Sequence, residues 1–242
     1  MRGVEELPGA GKISRIEPRT AHILAPGLHL DARRVLWMPE ERALVAADLH
    51  LGYAWAHRHA GQLMPITAPE DAIDRLAALA EEYRAECVVL LGDIVHRAVP
   101  VPALREVLAA LAGRLAGRDI RWIVGNHDRD LEALMPDVAL EREIILGTHL
   151  LTHGADEVEA PERGWLIMGH EHPAIHLHDG VATGVKVPCF LAGRRMLILP
   201  AFSQWAAGAN IRGGTFLSAM ARSAHFTRAY ALMAGRILPV PL

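Results

Sequence analysis

The 242-residue sequence predicts an α/β fold. In its first half, short apolar runs alternate with amphipathic helical segments, a pattern typical of parallel strands joined by helical crossovers. After residue 140, short apolar runs follow one another with turn residues between them, which predicts mostly β-structure. Polar residues with metal-binding side chains stand at the ends of five of these runs. In α/β sheets, such strand ends collect ligands.

The composition is that of a globular protein, with 51% apolar and 22% charged residues. The net charge of -3 argues against a protein that coats nucleic acid, but not against local phosphate binding. Cys87 and Cys189 lie in apolar runs, so we expect them to be reduced. With neither an amino-terminal signal nor a long apolar segment, a cytoplasmic protein without a membrane segment is expected. Residues 1–18 are expected to be a flexible lead-in, and residues 19–242 one domain.

The amino-terminal strands are predicted to be short. Residues 22–30, interrupted by Pro26-Gly27, and residues 34–38 form strands joined by turns. Residues 43–47 form a buried strand that ends at Asp48. Residues 52–67 are predicted to be a long functional loop or a short helix beside the site.

The next elements alternate between helix and strand. Apolar residues at helical spacing mark both helices, and the second begins with a proline. Uninterrupted apolar runs mark both strands, which end in Gly92-Asp93 and in Gly125-Asn126-His127-Asp128. The order is a helix over 69–83, a strand over 87–91, a helix over 102–115 and a strand over 120–124.

The carboxyl-terminal half is predicted to contain many short strands. Its apolar runs are at 143–146, 149–152, 165–168, 174–178, 181–187 and 195–199. Residues 203–215 are rich in small residues and are expected to form a loop. Residues 216–238 are expected to add one or two strands.

Seven donor side chains follow the predicted strands: Asp48, His50, Asp93, Asn126, His153, His170 and His172. Three oxygen donors and four imidazoles are too many for one metal ion and suit two. The mixture fits Mn²⁺, our first choice, or Fe or Zn²⁺, and the lack of thiolates argues against a structural zinc site. Asp93, central in the order, is the candidate to bridge both ions.

Two such ions would generate a bridging hydroxide near neutral pH and clamp phosphate oxygens during in-line attack on phosphorus. The leaving oxygen then needs a proton, which a histidine that binds no metal can supply. His127, next to Asn126, is placed for this role, and Asp128 is expected to hold its ring in the required tautomer. The sequence therefore predicts a two-metal phosphoesterase.

Five motifs resemble, in order and rough spacing, those of the calcineurin-like metallophosphoesterases. They are Asp48-Leu49-His50, Gly92-Asp93-x-x-His96, Gly125-Asn126-His127-Asp128, His153-Gly154 and Gly169-His170-x-His172. The resemblance implies a four-layer αββα sandwich of two mixed sheets flanked by helices. It also implies two ligand sets, the first being Asp48, His50, Asp93 and His172, and the second Asp93, Asn126, His153 and His170. His127 would be the catalytic histidine.

A narrower resemblance links the chain to the bacterial DNA-ligase-associated metallophosphoesterases. It is carried by Asp48–Gly52, Arg58-x-Ala60-Gly61, Pro65, Gly169–Pro173, Pro188–Leu191 and Leu199–Phe202. It implies a phosphodiesterase or endonuclease of the DNA-damage response, with a DNA ligase and a helicase as partners. The chain departs from that group at Tyr53, where lysine is common, and at 203–208, where the group carries paired glycines.

Some assignments stay open at this stage. His149 competes with His153 as a ligand, although the family pattern favours the histidine followed by glycine. His96 and Arg58 are candidates to support the site or to contact substrate. Trp55 and Trp205 either pack in the core or stack on a base. The alternative functions are a phosphomonoesterase, a cyclic-nucleotide phosphodiesterase, and an interaction subunit of a ligase–helicase repair assembly.

Overall fold

The computed structural model describes residues 21–65, 70–96, 102–129, 131–178, 184–206, 208–213 and 215–242. The predicted lead-in over residues 1–18 lies outside the described residues, as do the predicted start of the helix at residue 69 and residues 181–183 of a predicted strand. Within the described residues, no helix is long and apolar enough to cross a membrane.

The first sheet has seven strands in chain order: β1 (Ala21–Ala25), β2 (Leu28–Asp31), β3 (Val35–Met38), β4 (Ala43–Ala47), β5 (Cys87–Leu91), β6 (Asp119–Ile123) and β7 (Leu140–Glu141). The pairs from β1 to β4 are antiparallel. The pairs from β4 to β7 are parallel, as the alternation of helix and strand predicted. The carboxyl ends of β4, β5 and β6 therefore meet at one edge.

Helices cover the outer face of this sheet. They are α1 (Tyr53–His59), α2 (Glu70–Glu82), α3 (Pro102–Arg114) and the short α4 (Leu131–Leu134). Leu76 of α2 and Leu108 of α3 are fully buried against strand residues such as Leu90. Burying one such leucine contributes about 1.5–3 kcal/mol, so the stripes fix both helices on the sheet. Of the two alternatives for residues 52–67, the structure has the short helix, α1.

The second sheet has nine strands: β8 (Glu143–Leu146), β9 (His149–Thr152), β10 (Leu166–Met168), β11 (Pro173–His178), β12 (Gly184–Gly193), β13 (Met196–Ile198), β14 (Ala209–Asn210), β15 (Phe226–Met233) and β16 (Arg236–Pro241). β10 runs parallel to β9 and β13, and β11 runs parallel to β14. The remaining pairs are antiparallel, so this sheet is mixed as well.

The two sheets face each other across an apolar core. Leu30 and Val45 of the first sheet pack with Phe190 and Leu197 of the second. A fifth helix, α5 (Ala219–Ser223), packs Met220 against the other face of the second sheet. This is the predicted α/β sandwich of two mixed sheets with helices outside.

The structure differs from the sequence prediction where elements are very short. The elements β7, β14, α4 and α5 have two to five residues, too few to show a helical or strand period.

Strand β12 continues to Gly193, although the prediction ended it at residue 187, before Pro188. Proline usually interrupts a strand because it lacks the N–H group, but here it remains within the pairing of β11 with β12.

Candidate metal centre

The candidate centre lies where the two sheets meet. Ala47, the last residue of β4, forms an isolated parallel bridge with Ala201, which follows β13. The Phe202 N–H group donates to the Ala47 carbonyl at 2.7 Å. The ends of β4, β5, β6, β9 and β10 are thereby brought together, and they carry all seven predicted ligands.

The first group of donors is Asp48, His50, Asp93 and His172, whose candidate ligand atoms all lie within 4.8 Å of one another. Nε2 of His50 is 3.1 Å from Nε2 of His172. Nε2 of His172 is 3.4 Å from Oδ1 of Asp48, and Nε2 of His50 is 3.9 Å from Oδ2 of Asp93. The group has the same members as the first ligand set implied by the resemblance.

The second group is Asp93, His153 and His170, again within 4.8 Å of one another. Nε2 of His153 is 3.4 Å from Oδ1 of Asp93 and 3.1 Å from Nδ1 of His170. Oδ1 of Asn126 lies 3.2 Å from the same Nε2 atom. Asp93 belongs to both groups, with Oδ2 towards the first and Oδ1 towards the second.

Five of the seven predicted ligands have a left-handed backbone, with φ between 43° and 68°: Asp48, His50, Asp93, His170 and His172. This region is uncommon for residues other than glycine, and each such residue costs on the order of 1–3 kcal/mol. The surrounding structure must therefore hold them in place. Strain of this kind clusters at functional sites.

Backbone hydrogen bonds between the loops after β4 and β5 provide that support. The Asp48 N–H group donates to the Gly92 carbonyl at 3.1 Å, and the His50 N–H group donates to the Asp93 carbonyl at 2.9 Å. Gly92 itself has a φ of +73°, and a Cβ there would overlap the ring of His153. A Cβ on Gly125 would likewise overlap the Asp93 carboxylate. Both motif glycines leave space for a neighbouring donor.

Burial sets the protonation of the donors. It lowers the pKa of His50 to about 3 and that of His153 to about 4, so both imidazoles are neutral at pH 7 and have a free lone pair. Burial and the charge of Asp48 raise the pKa of Asp93 to about 7. For Asp48, burial opposes ionisation, but the hydrogen bond and charge of His172 hold its pKa below the ordinary value.

These donors fit divalent cations. Within the described part of the chain, no lysine or arginine lies within ion-pair distance of Asp48 or Asp93. Two carboxylates beside neutral imidazoles form an oxygen and nitrogen donor set of the kind that binds Mn²⁺, Fe or Zn²⁺. The arrangement can hold two ions that share Asp93.

His127 borders the centre without joining either of these two groups. Its Nε2 atom is 3.9 Å from Oδ2 of Asp93, and 38% of its side chain is exposed. Its Nδ1 atom is hydrogen-bonded to the backbone carbonyl of His96. Its backbone N–H group donates to Oδ1 of Asp93 at 2.9 Å. Its Nε2 atom, on the partly exposed ring, can therefore reach a substrate while Nδ1 holds the ring from behind.

The Asp128 carboxylate faces backbone amides and not the ring of His127, contrary to the sequence prediction. Its carboxylate accepts the N–H groups of Gly125 at 2.8 Å, Val95 at 3.0 Å and Ile94 at 3.2 Å, and burial raises its pKa to about 6. Because both oxygens face these amides, Asp128 connects the loop after β5 to the loop after β6. The His96 carbonyl orients the His127 ring instead.

The structure shows where the residues of the open assignments lie. His153 lies in the second donor group, whereas His149 accepts the Trp165 N–H group at 3.2 Å. The Nδ1 atom of His96 is 3.4 Å from Nδ1 of His50, and its ring stacks on that of His127 at 5.2 Å. Arg58 is exposed on α1 and donates to the Met64 carbonyl at 3.0 Å, with no contact to the ligands among the described residues.

Glu171, which stands between the predicted ligands His170 and His172, was not expected from the sequence. It is 3% exposed and accepts the N–H groups of Leu217 at 2.9 Å and Ser218 at 2.6 Å. It therefore ties the ligand segment to the chain before α5. The available sequence signal was an acidic residue between two predicted ligand histidines, but its partners lie more than forty residues away.

Comparisons with known proteins find one matching family and a similar solved structure. Residues 41–155 match the family model described as calcineurin-like phosphoesterase. A structure of the Pseudomonas putida nuclease MPE is similar, with a TM-score of 0.65 and 27% sequence identity, covering 88% of this chain and 94% of that chain. No curated protein matches. The family match ends before His170 and His172, whose place in the centre rests on the structure.

Proposed function

We propose that this chain is a calcineurin-like phosphoesterase, a metal-dependent hydrolase that cleaves phosphodiesters of DNA or nucleotides with two metal ions. One observation carries the proposal. Asp93 presents one carboxylate oxygen to each of two donor groups. Such a shared carboxylate can hold two metal ions close together, which is the arrangement that a two-metal hydrolysis uses.

Asp48, His50, Asp93 and His172 would hold the first ion, and Asp93, Asn126, His153 and His170 the second. We propose Mn²⁺ for both, because hard oxygens and imidazoles make up the donor set. When bound, divalent ions here supply an activated water and neutralise charge on the phosphoryl oxygens.

The chain itself contributes the proton for the leaving group. Attack of water on phosphorus breaks the bond to the leaving oxygen, which needs a proton to depart. His127 would donate it from Nε2, the nitrogen that faces the centre. The His96 carbonyl keeps the other nitrogen occupied, so the ring presents Nε2 rather than Nδ1.

The diester preference is supported by the similar Pseudomonas putida protein, which is a nuclease. The narrower sequence resemblance supports a role in DNA repair beside a DNA ligase and a helicase, which we propose as partners. We also propose that the protein acts in the cytoplasm, where its two buried, free cysteines would stay reduced.

The test is a substrate panel on purified protein of measured metal content. We expect Mn²⁺-dependent hydrolysis of bis-p-nitrophenyl phosphate and single-stranded DNA, and slower hydrolysis of p-nitrophenyl phosphate. Absence of turnover with every divalent metal would refute the proposal. Faster hydrolysis of the monoester would favour a phosphomonoesterase. If an Asp93→Ala variant rescued a DNA-damage phenotype fully, the protein would be chiefly an interaction subunit.

A further inference from the structure

A pocket of about 90 Å³ opens beside the metal centre, with His50 in its wall. The other walls are the start of α1, one side of α2 and the loop after β13, which contribute Tyr53, Arg75 and Trp205. We propose that this pocket binds the nucleotide next to the scissile phosphodiester, with its phosphate on Arg75 and its base against Trp205. The inference rests on the proposed function, because it names a subsite for a polynucleotide substrate.

Arg75 has guanidinium N–H donors available for a phosphate. Its side chain is half-buried, and its guanidinium lies 4.4 Å from the ring centre of Phe202. The single hydrogen bond found for it among the described residues is a long one, 3.5 Å from Nη2 to the Phe202 carbonyl. A guanidinium has five N–H donors and binds phosphate through a planar pair of them. A half-buried cation this poorly paired favours an anionic ligand.

Asp71 lines the same pocket one turn earlier on α2 and must be weighed against this reading. It is exposed, and it lies beyond ion-pair distance of Arg75 within the described residues. Burial lowers the pKa of Arg75, and the charge of Asp71 opposes this only in part. Because Asp71 forms no ion pair with Arg75 within the described residues, the guanidinium stays available to a ligand.

A second arginine strengthens the positive potential at this place. Arg34 donates from Nη1 to the carbonyls of Ala201 and Ser203, on either side of the carbonyl that Arg75 contacts. The two cations are close enough that Arg75 adds to the effect of burial in lowering the pKa of Arg34. A local positive region beside the metal centre, on a chain of net charge -3, favours a polyanionic substrate there.

Trp205 supplies a surface for a base. It is 37% exposed, and its backbone N–H group donates to Oγ of Ser203 at 3.2 Å, which fixes the turn that carries it. Tyr53 and Trp55 form the aromatic wall of the pocket. Bases stack on such side chains without strong sequence preference, so single-stranded nucleic acid is the ligand class that uses both a cation and an exposed indole.

The binding test uses a fluorescein-labelled short oligothymidylate in EDTA, where cleavage cannot occur. We expect Arg75→Gln and Trp205→Ala each to weaken binding about 10-fold. Arg75→Gln should also reduce the slope of log K against log salt by about 0.7, the value for one phosphate on a single strand, and Trp205→Ala should not. Arg105→Gln is the matched control, since Arg105 also donates to one backbone carbonyl, at 3.1 Å from Ala133, on the neighbouring α3.

Three outcomes would overturn the inference. The first is that Arg75→Gln binds as Arg105→Gln does, and the second is that the wild type fails to bind. The third is that, with Mn²⁺, Arg75→Gln lowers kcat/KM by the same factor on bis-p-nitrophenyl phosphate as on the oligonucleotide. A larger loss on the oligonucleotide supports the subsite, and Arg75→Lys, which keeps the charge, should retain the salt slope. If Arg75→Gln and Trp205→Ala lose oligonucleotide binding but the wild type hydrolyses no phosphoester, only the proposed function is refuted.

Discussion

Replacing Glu171 with glutamine tests how the ligand segment of the second sheet is held. The buried carboxylate accepts two backbone N–H groups, at 2.9 Å from Leu217 and 2.6 Å from Ser218. Hydrogen bonds to a charged group contribute about 1.5–3 kcal/mol each, and a glutamine can accept only one of the two N–H groups through its oxygen. We therefore expect the free energy of unfolding to fall by about 2 kcal/mol.

For a domain of this size, that loss corresponds to a melting temperature about 4–8 °C lower. Because Glu171 lies between His170 and His172, whose backbones are left-handed, its loss should also weaken metal binding, by about 10-fold. Thermal unfolding in EDTA and Mn²⁺ titration measure the two effects. Glu159→Gln, a change at an exposed glutamate, is the control. A Glu171→Gln protein with wild-type melting and wild-type metal affinity would refute this reasoning.

Three further predictions concern the centre itself. Asp93→Asn should abolish metal retention and turnover together, since both donor groups use this carboxylate. Metal content after desalting measures the loss of metal, and Asp137→Asn is the control. His127→Ala should keep both metals and lower kcat by about 10²–10⁴-fold, and loss of metal would contradict its assigned role. In EDTA, the wild type should lose stability relative to Asp93→Asn as pH rises from about 4 to about 7. The reason is that the pKa of Asp93 is raised to about 7 in the folded state, so its carboxyl group ionises more readily in the unfolded chain. Urea denaturation at several pH values measures this difference, and a difference that does not change with pH would contradict it.

The sequence predicted much of the site because its donors have a simple local signature. Asp48, Asp93 and Asn126 each follow an apolar strand, and parallel strands place their carboxyl ends together. No knowledge of the second sheet was needed to expect these three side chains at one edge.

What the sequence could not show depends on contacts between distant segments. The carboxylate of Asp128 faces three backbone N–H groups of two loops, a choice that depends on how those loops pack. The partners of Glu171 lie at residues 217 and 218, beside a helix of only five residues. The pocket at Arg75 likewise requires α2 and the loop after β13 to meet.

The position of the metal centre between the two sheets has a consequence for synthesis. Asp48 and Asp93 belong to the part of the chain made first, whereas His170 and His172 follow the third strand of the second sheet. A growing chain that has completed the first sheet lacks His172 of the first donor group and both His153 and His170 of the second. The proposed metal centre therefore cannot assemble until residue 172 has left the ribosome and the second sheet has docked. Nascent chains and fragments of this protein should be unable to cleave phosphoesters.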